Sequence, residues 1–193
     1  MEKPAHTIDL LLRACRKGDP RAQQEVYARY FRAMYNTALR MVNDPWDAED
    51  LMQEAFLDAF SHMDSWEERA SFGSWLKRIV VNRCLNHLKK RKVSFSHSAQ
   101  EEWEKWPEEK TGVEWMPEIS PEVVANAITQ LADGYRVILS LHLIEGYDHE
   151  EIAGILGIQP STSRSQFTRG REKLRQILLR QLQTDAYHGK NKY

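Results

Sequence analysis

Between Ala48 and Phe60 the apolar residues are Ala48, Leu51, Met52, Ala55, Phe56, Ala59 and Phe60. Their spacing runs i, i+3, i+4, i+7, i+8, i+11, i+12, and only a helical period gathers such positions onto one side. The segment is therefore a helix with one apolar stripe, and it must pack against something. The same stretch, DPWDAEDLMQEAFLDAF (44–60), holds six acidic residues and no basic one. Asp47 is expected to cap the helix, with Asp50 in its first turn, where a carboxylate meets the positive end of the helix dipole. Glu49, Asp50, Gln53, Glu54 and Asp58 lie off the stripe and are expected to face outward. Such a face is either a solvated surface or a dock for a basic partner.

The rest of the chain reads the same way. Strong helix formers dominate and alternating strand patterns are absent, so the expected fold is all-α. A helix is expected from about Thr7 to Arg16, ended by KGDP, and a second from Pro20 through RAQQEVYARYFRAMYNTALRMV, with Val26, Tyr30, Tyr35 and Leu39 as a candidate buried stripe. After the acidic helix and the turn-like SHMDSWEERASF comes GSWLKRIVVNRCLNHLKKRK. Phe72, Trp75, Leu76, Ile79, Val80, Cys84 and Leu88 form its apolar side. Lys77, Arg78, Arg83 and 89–92 make it basic, with Asn82 and Asn86 interleaved. A basic run is often only a solvated face, and Trp75 at helical spacing with Ile79 suits a core better than a base-stacking platform.

From about Val93 to Ser120 helical period is lost. Seven glutamates between Glu101 and Glu118 face only Lys105 and Lys110, which reads as an acidic linker. Trp103, Trp106 and Trp115 within it suggest docking on a partner. The expected organisation is two small helical domains, 1–95 and 120–185, joined by a linker 96–119 and followed by a tail 186–193. In the second domain helices are expected at about 121–131, 133–144, 148–156 and 160–182, with Ser120 as cap and Pro121 in the first turn.

YDHEEIAGILGIQPSTSRSQFTRGREKLRQIL has the layout of a helix-turn-helix. Asp148 and Glu151 stand at capping-box spacing. Ile152, Ala153 and Leu156 form the buried side, Ala153 being small where the second helix crosses. Gly157 supplies a turn residue that tolerates positive φ, Ile158 the buried turn position, and Pro160 opens the second helix. That helix begins with Ser161, Thr162, Ser163, Arg164, Ser165 and Gln166. Hydroxyls at a helix N-terminus suit phosphates, and Arg164 and Gln166 are long enough to reach base edges in a major groove. Arg169 and Arg171 continue the basic side, with Phe167, Leu174, Ile177 and Leu178 turned inward.

The net charge of −1 gives no global argument for nucleic acid, so the basic segments must carry it. Two cysteines make neither a disulfide framework nor a zinc site. No apolar run is long enough to span a membrane, and the N-terminal one is too short for a signal peptide, so a reduced, cytoplasmic location without membrane insertion is expected. His149 in HEEIA lacks a second histidine four residues on, and neither a phosphate loop nor a nucleophile elbow occurs. Catalysis, a cofactor and a metal site are not expected.

The succession of DAEDLMQEAFLDAF, SFGSWLKRIVVNRCLNHLKKRK and EEIAGILGIQPSTSRSQFTRGREKL resembles bacterial RNA polymerase sigma factors of the sigma-70 family. The short length is similar to the extracytoplasmic-function (ECF) group, which keeps only regions 2 and 4. The resemblance covers roughly 20–92 and 120–180. It implies that the acidic helix, through Asp47, Glu49, Asp50, Gln53 and Glu54, binds the coiled coil of the largest catalytic subunit of core RNA polymerase. It implies that the loop Trp66 to Phe72, including Arg69, with Lys77, Arg78, Asn82, Arg83 and Asn86, recognises and helps melt the −10 promoter element. It implies that Ser161 to Arg171 read the −35 element, that this region touches the polymerase flap, and that an anti-sigma factor controls activity. Relatives often begin the recognition helix GTVKSRLxRAR. Here Ser161, Gln166 and Gly170 stand for glycine, arginine and alanine, and a glycine within a helix costs about 1 kcal/mol against alanine. A transcriptional regulator that works without docking on polymerase is the alternative, and it would have no need of the acidic helix.

Overall fold

The computed structural model describes residues 4–91 and 119–190, with side chains over 8–91 and 119–182. The tryptophans Trp103, Trp106 and Trp115 lie outside these ranges. Among the described residues every regular element is helical, and the chain divides into two compact units, 1–90 and 91–193.

The first unit contains α1 (Pro4–Arg16), α2 (Pro20–Val42), α3 (Pro45–Ser61), a single 3-10 turn (Met63–Ser65) and α4 (Phe72–Lys90). Gly18, at φ 79, turns the chain out of α1. Asp19 then accepts from Arg21 N at 2.9 Å to cap α2. Asn43, in the left-handed region at φ 56, closes α2 and lets α3 start at once. The cap of α3 is Asp44, not the expected Asp47: its Oδ1 accepts from Trp46 N at 2.9 Å and Asp47 N at 3.0 Å. Pro45 explains the earlier start, since its fixed φ and missing N–H suit the first helical position.

The apolar stripe of α3 forms the middle of this unit. Ala48, Met52, Ala55 and Ala59 are fully buried, Phe56 and Leu51 nearly so, and Phe60 is half-buried. The small residues let α2 and α4 approach closely on either side. From α2 the core receives Ala22, Val26, Met34, Ala38 and Met41, whereas the expected Tyr30, Tyr35 and Leu39 are only half-buried. From α4 come Leu76, Val80, Val81, Cys84, Leu85 and Leu88. Burial pushes the Cys84 thiol up to about 12, so it acts as a small apolar residue, not a nucleophile.

The second unit contains α5 (Pro121–Thr129), α6 (Asp133–Leu139) running into a π turn (Ser140–Ile144), α7 (His149–Leu156) and α8 (Pro160–Lys190). Ser120 accepts from Val123 N at 3.5 Å to cap α5. The π turn shows in the bond from Glu145 N to Ser140 O at 3.0 Å, five residues apart. The capping box of α7 is complete: Glu151 N donates to Asp148 at 2.8 Å and Asp148 N to Glu151 at 2.9 Å. Gly157 ends α7 at φ 69. The core is Ala127, Ile128, Leu131, Tyr135, Leu139, Leu174 and Leu178, flanked by Phe167 and Ile177.

Gly170 has a packing reason. A Cβ there would stand 3.2 Å from both Leu139 Cδ1 and Tyr135 Cβ, so α6 crosses α8 at this point.

Candidate nucleic-acid and protein interfaces

The outward face of α3 is more than acidic. Glu49, Asp50 and Gln53 are exposed, and so are Trp46 (82%) and Leu57 (67%). Trp46, Asp50, Gln53 and Leu57 recur at i, i+4, i+7 and i+11, which is one side of a helix. Gln53 Nε2 donates to Glu49 Oε1 at 3.2 Å along it. Sequence reasoning credited only the polar residues of this face; Trp46 and Leu57 could have been found by their spacing from Asp50.

The other acidic residues of α3 turn toward α4. The Asp47 carboxylate lies 3.1 Å from His87 Nε2, an ion pair when the imidazole is protonated. Glu54 and Asp58 are half-buried, contrary to the outward position expected for them. Arg83 of α4 reaches across: its Nη1 donates to Glu54 Oε2 at 2.6 Å, its Nε to Asp58 Oδ2 at 2.7 Å, and its Nη2 to the same Asp58 oxygen. The Asp58 hydrogen bond, with the charge of both carboxylates, holds the guanidinium further above its usual value. Arg83 was expected among DNA-facing bases; instead it leans on α3 and ties the two helices together through Glu54 and Asp58. The outward stripe of α4 is Arg78, Asn82, Asn86 and Lys89, all exposed at helical spacing, with Lys77 half-buried beside it.

Residues 62–71 contain the 3-10 turn and connect α3 to α4. Trp66 is half-buried and donates through Nε1 to Ala70 O at 3.0 Å. Arg69 is exposed and pairs with Glu67 at 3.1 Å. Phe72 was expected to serve the loop as a contact, but it is 2% exposed and belongs to the core. Its ring packs at 5.4 to 5.6 Å against Tyr30, Trp66 and Trp75. The reason is positional: it is the first residue of α4, one turn before Leu76 on the buried stripe.

In the helix-turn-helix, Ser161, Arg164, Ser165 and Arg171 are exposed, while Thr162 and Arg169 are half-buried. Arg164 Nη1 pairs with Glu150 Oε1 at 3.1 Å. Ser163 and Gln166 correct the expectation: both are buried, at 0% and 3%. They stand at i and i+3 of the stripe that continues through Gly170 and Leu174, so the buried face of α8 starts with polar residues and hides from a hydrophobic pattern. The Ser163 hydroxyl lies 3.0 Å from His149 Nδ1. The His149 ring stacks on His142 with centroids 4.6 Å apart and planes 8° from parallel, and Phe167 meets both edge-on. His142 Nδ1 lies 2.8 Å from Tyr147 O and must carry the proton to donate to it. Desolvation first, then the charges of His142 and Arg164, lower the pKa of His149 against the opposing pull of Glu150 and Asp148. Sequence spacing missed this pair because α6 and its π turn end between the two histidines.

Residues 26–93 match Sigma-70 region 2, and residues 122–174 match Sigma-70, region 4. The chain belongs to the sigma-70 family. It is 30% identical over 185 residues to the ECF RNA polymerase sigma factor SigW of Bacillus subtilis (strain 168), covering 86% of this chain and 94% of that one. It is likewise 30% identical over 179 residues to the ECF RNA polymerase sigma-E factor of Escherichia coli (strain K12), covering 87% and 92%. It is therefore a sigma factor of the ECF group, and sigma factors are non-enzymatic initiation factors. The fold is shared with the sigma factor RpoE of Bartonella quintana, solved in complex with the anti-sigma factor NepR: TM-score 0.53, 22% identity, 80% of this chain and 95% of that one. In this sigma factor the region 2 match takes in α3, the 62–71 loop and α4, and it begins within α2, so α1 lies outside it. The region 4 match takes in α5 to α7 and the first half of α8.

Proposed function

We propose that this ECF sigma factor binds core RNA polymerase through the outward face of α3 and directs promoter-specific initiation through two DNA-reading surfaces. The loop 66–71 and the outward stripe of α4 (Arg78, Asn82, Asn86) serve the −10 element. The first turns of α8, through Ser161, Thr162, Arg164, Ser165, Arg169 and Arg171, serve the −35 element. Phe72, Ser163, Gln166 and Arg83 hold these surfaces in place and do not touch DNA.

The observation that carries the reading is the stripe of Trp46, Asp50, Gln53 and Leu57. It contributes nothing to packing the first unit, yet it joins exposed apolar surface to acid, a composition suited to a basic helical partner. The coiled coil of the largest polymerase subunit is that partner. On the −35 side, the N-terminus of α8 enters the major groove, the hydroxyls take phosphates and Arg164 exchanges Glu150 for a base edge or phosphate. On the −10 side, capture of an unstacked base costs a few kcal/mol, offset by contacts in the loop. Both units ride on one polymerase, so each raises the effective concentration of the other. No described helix is long and apolar enough to cross a membrane. The protein acts in the cytoplasm with polymerase, and an anti-sigma factor covering one of these faces is the proposed control.

The test is a crossed pair of variants assayed with core polymerase and a matched promoter. Asp50→Arg abolishes polymerase binding and leaves duplex −35 binding intact. Arg164→Ala leaves polymerase binding intact and weakens −35-dependent transcription. Polymerase affinity unchanged by Asp50→Arg would favour a regulator that acts without docking.

A further inference from the structure

Arg16, the last residue of α1, makes a dense set of contacts to one segment more than forty residues away. Its Nη2 donates to Trp66 O at 3.2 Å and to Met63 O at 3.5 Å, and its Nη1 to Glu68 Oε1 at 3.3 Å. Its Nε lies 3.7 Å from the Asp64 carboxylate. The guanidinium carbon sits 5.8 Å from the centre of the Trp66 ring. Two backbone carbonyls, two carboxylates and one indole of the same loop thus converge on one side chain, which is only 33% exposed.

The loop needs such a hold. Glu68 adopts φ 60, a left-handed conformation that non-glycine residues rarely take. Trp66 closes the loop on itself through its bond to Ala70 O and rests edge-on against Phe72 at 5.5 Å. Arg16 itself is well anchored. Leu12 and Cys15 of α1 are buried at 4% and 1%, and the Gly18 turn ties α1 to the capped start of α2. A planar fork with five donors can serve carbonyls and carboxylates together, whereas a lysine ammonium cannot span them.

We propose that Arg16 is a positioning residue for the 62–71 loop and sets how well the loop discriminates the base it captures. This rests on the reading of the loop as the −10 surface. Arg16 belongs to α1, outside residues 26–93 that match region 2. It touches no DNA; it fixes the backbone path from Met63 to Glu68 and the plane of the Trp66 ring.

The experiment uses the full chain with core polymerase on a matched promoter and on templates carrying each substitution at every −10 position. Open-complex yield is read by permanganate, alongside polymerase affinity, −35 dependence and thermal unfolding. Arg16→Ala lowers the matched-to-mismatched ratio at one −10 position by about 5–10-fold, with polymerase affinity and −35 dependence within about twofold. Arg16→Lys, which keeps the charge and the stem, stays folded and recovers less than half of that ratio on a logarithmic scale. A ratio unchanged in both variants overturns the proposal, as does a loss spread evenly over all positions and over polymerase binding. Trp66→Ala and Arg69→Ala separate the two readings. If they leave discrimination intact, the loop is not the −10 reader; if they abolish it while both Arg16 variants keep it, only the role of Arg16 falls.

Discussion

Arg83 Nη1 lies 2.6 Å from Glu54 Oε2, so a base assigned by sequence to DNA and an acid assigned to polymerase are bound to each other. With Asp58 as second acceptor, the guanidinium joins α4 to α3 and orients the face that carries Asp50. Arg83→Gln should therefore behave as a stability variant. The three groups are 36–45% exposed, so the expected cost is small, about 1 kcal/mol, or roughly 5 °C for a unit of this size. The slope of log binding constant against log salt on promoter DNA should not change. Arg78→Gln should do the opposite: Arg78 is on the outward stripe, and its loss should reduce that slope by about one without lowering the melting temperature. A reduced slope in Arg83→Gln would return Arg83 to the DNA surface.

Trp46 and Leu57 give a second prediction. Large apolar side chains at 82% and 67% exposure contribute almost nothing to folding, so Trp46→Ala and Leu57→Ser should leave unfolding curves unchanged. If polymerase covers the Trp46 ring beside Asp50, the ring is a central anchor of that interface, and Trp46→Ala should weaken polymerase binding tenfold or more, since truncated tryptophans are among the costliest interface losses. Leu57→Ser should cost less. Titration of labelled core polymerase measures both, and equal affinity for Trp46→Ala and wild type would confine the interface to the acidic residues.

The helices and the stripe of α3 were legible because a helical period leaves a strong trace when the buried residues are apolar. The same logic explains the misses. Ser163 and Gln166 occupy buried positions of α8 with polar side chains, and a pattern of hydrophobicity passes over them. Arg83, Glu54 and Asp58 are ordinary surface residues in sequence, and only the pairing of α3 with α4 makes them partners. Asp44 lost the capping role to Asp47 in sequence because the apolar stripe starts at Ala48, although Pro45 marks the earlier start. Arg16 could not have been found at all, since its contacts depend on where the 62–71 loop folds back.

Gly170 is a third test, and it turns on a competition. In an exposed helix Gly→Ala gains about 1 kcal/mol. Here the new methyl would meet Tyr135 Cβ and Leu139 Cδ1 at 3.2 Å. The leucine tip can yield, but the tyrosine Cβ is fixed to its helix, so α6 and α8 must part slightly. Gly170→Ala should therefore leave the melting temperature unchanged or lower it. A rise matching the full helix propensity would mean that the crossing is looser than these distances indicate.

The last prediction concerns pH. His149 has its pKa lowered below 6.5 by desolvation first, then by His142 and Arg164. A base with a depressed folded pKa binds its proton more readily when unfolded. Stability from this group is therefore complete above about pH 6.5 and is lost as pH falls from there through the folded pKa. Because Ser163 Oγ touches His149 Nδ1 and Arg164 is the next residue, the loss should concentrate where α7 meets the start of α8. Hydrogen exchange of the full chain between about pH 5 and pH 7.5 should show weakening protection in 149–166 on acidification, with α3 and α4 much less affected. His149→Gln should flatten that dependence. Arg164→Ala, by removing a nearby positive charge, should raise the His149 pKa toward its ordinary value and shrink the effect. A His149 imidazole that titrates at or above 6.5 by NMR in the wild-type protein would overturn the sign of the whole prediction.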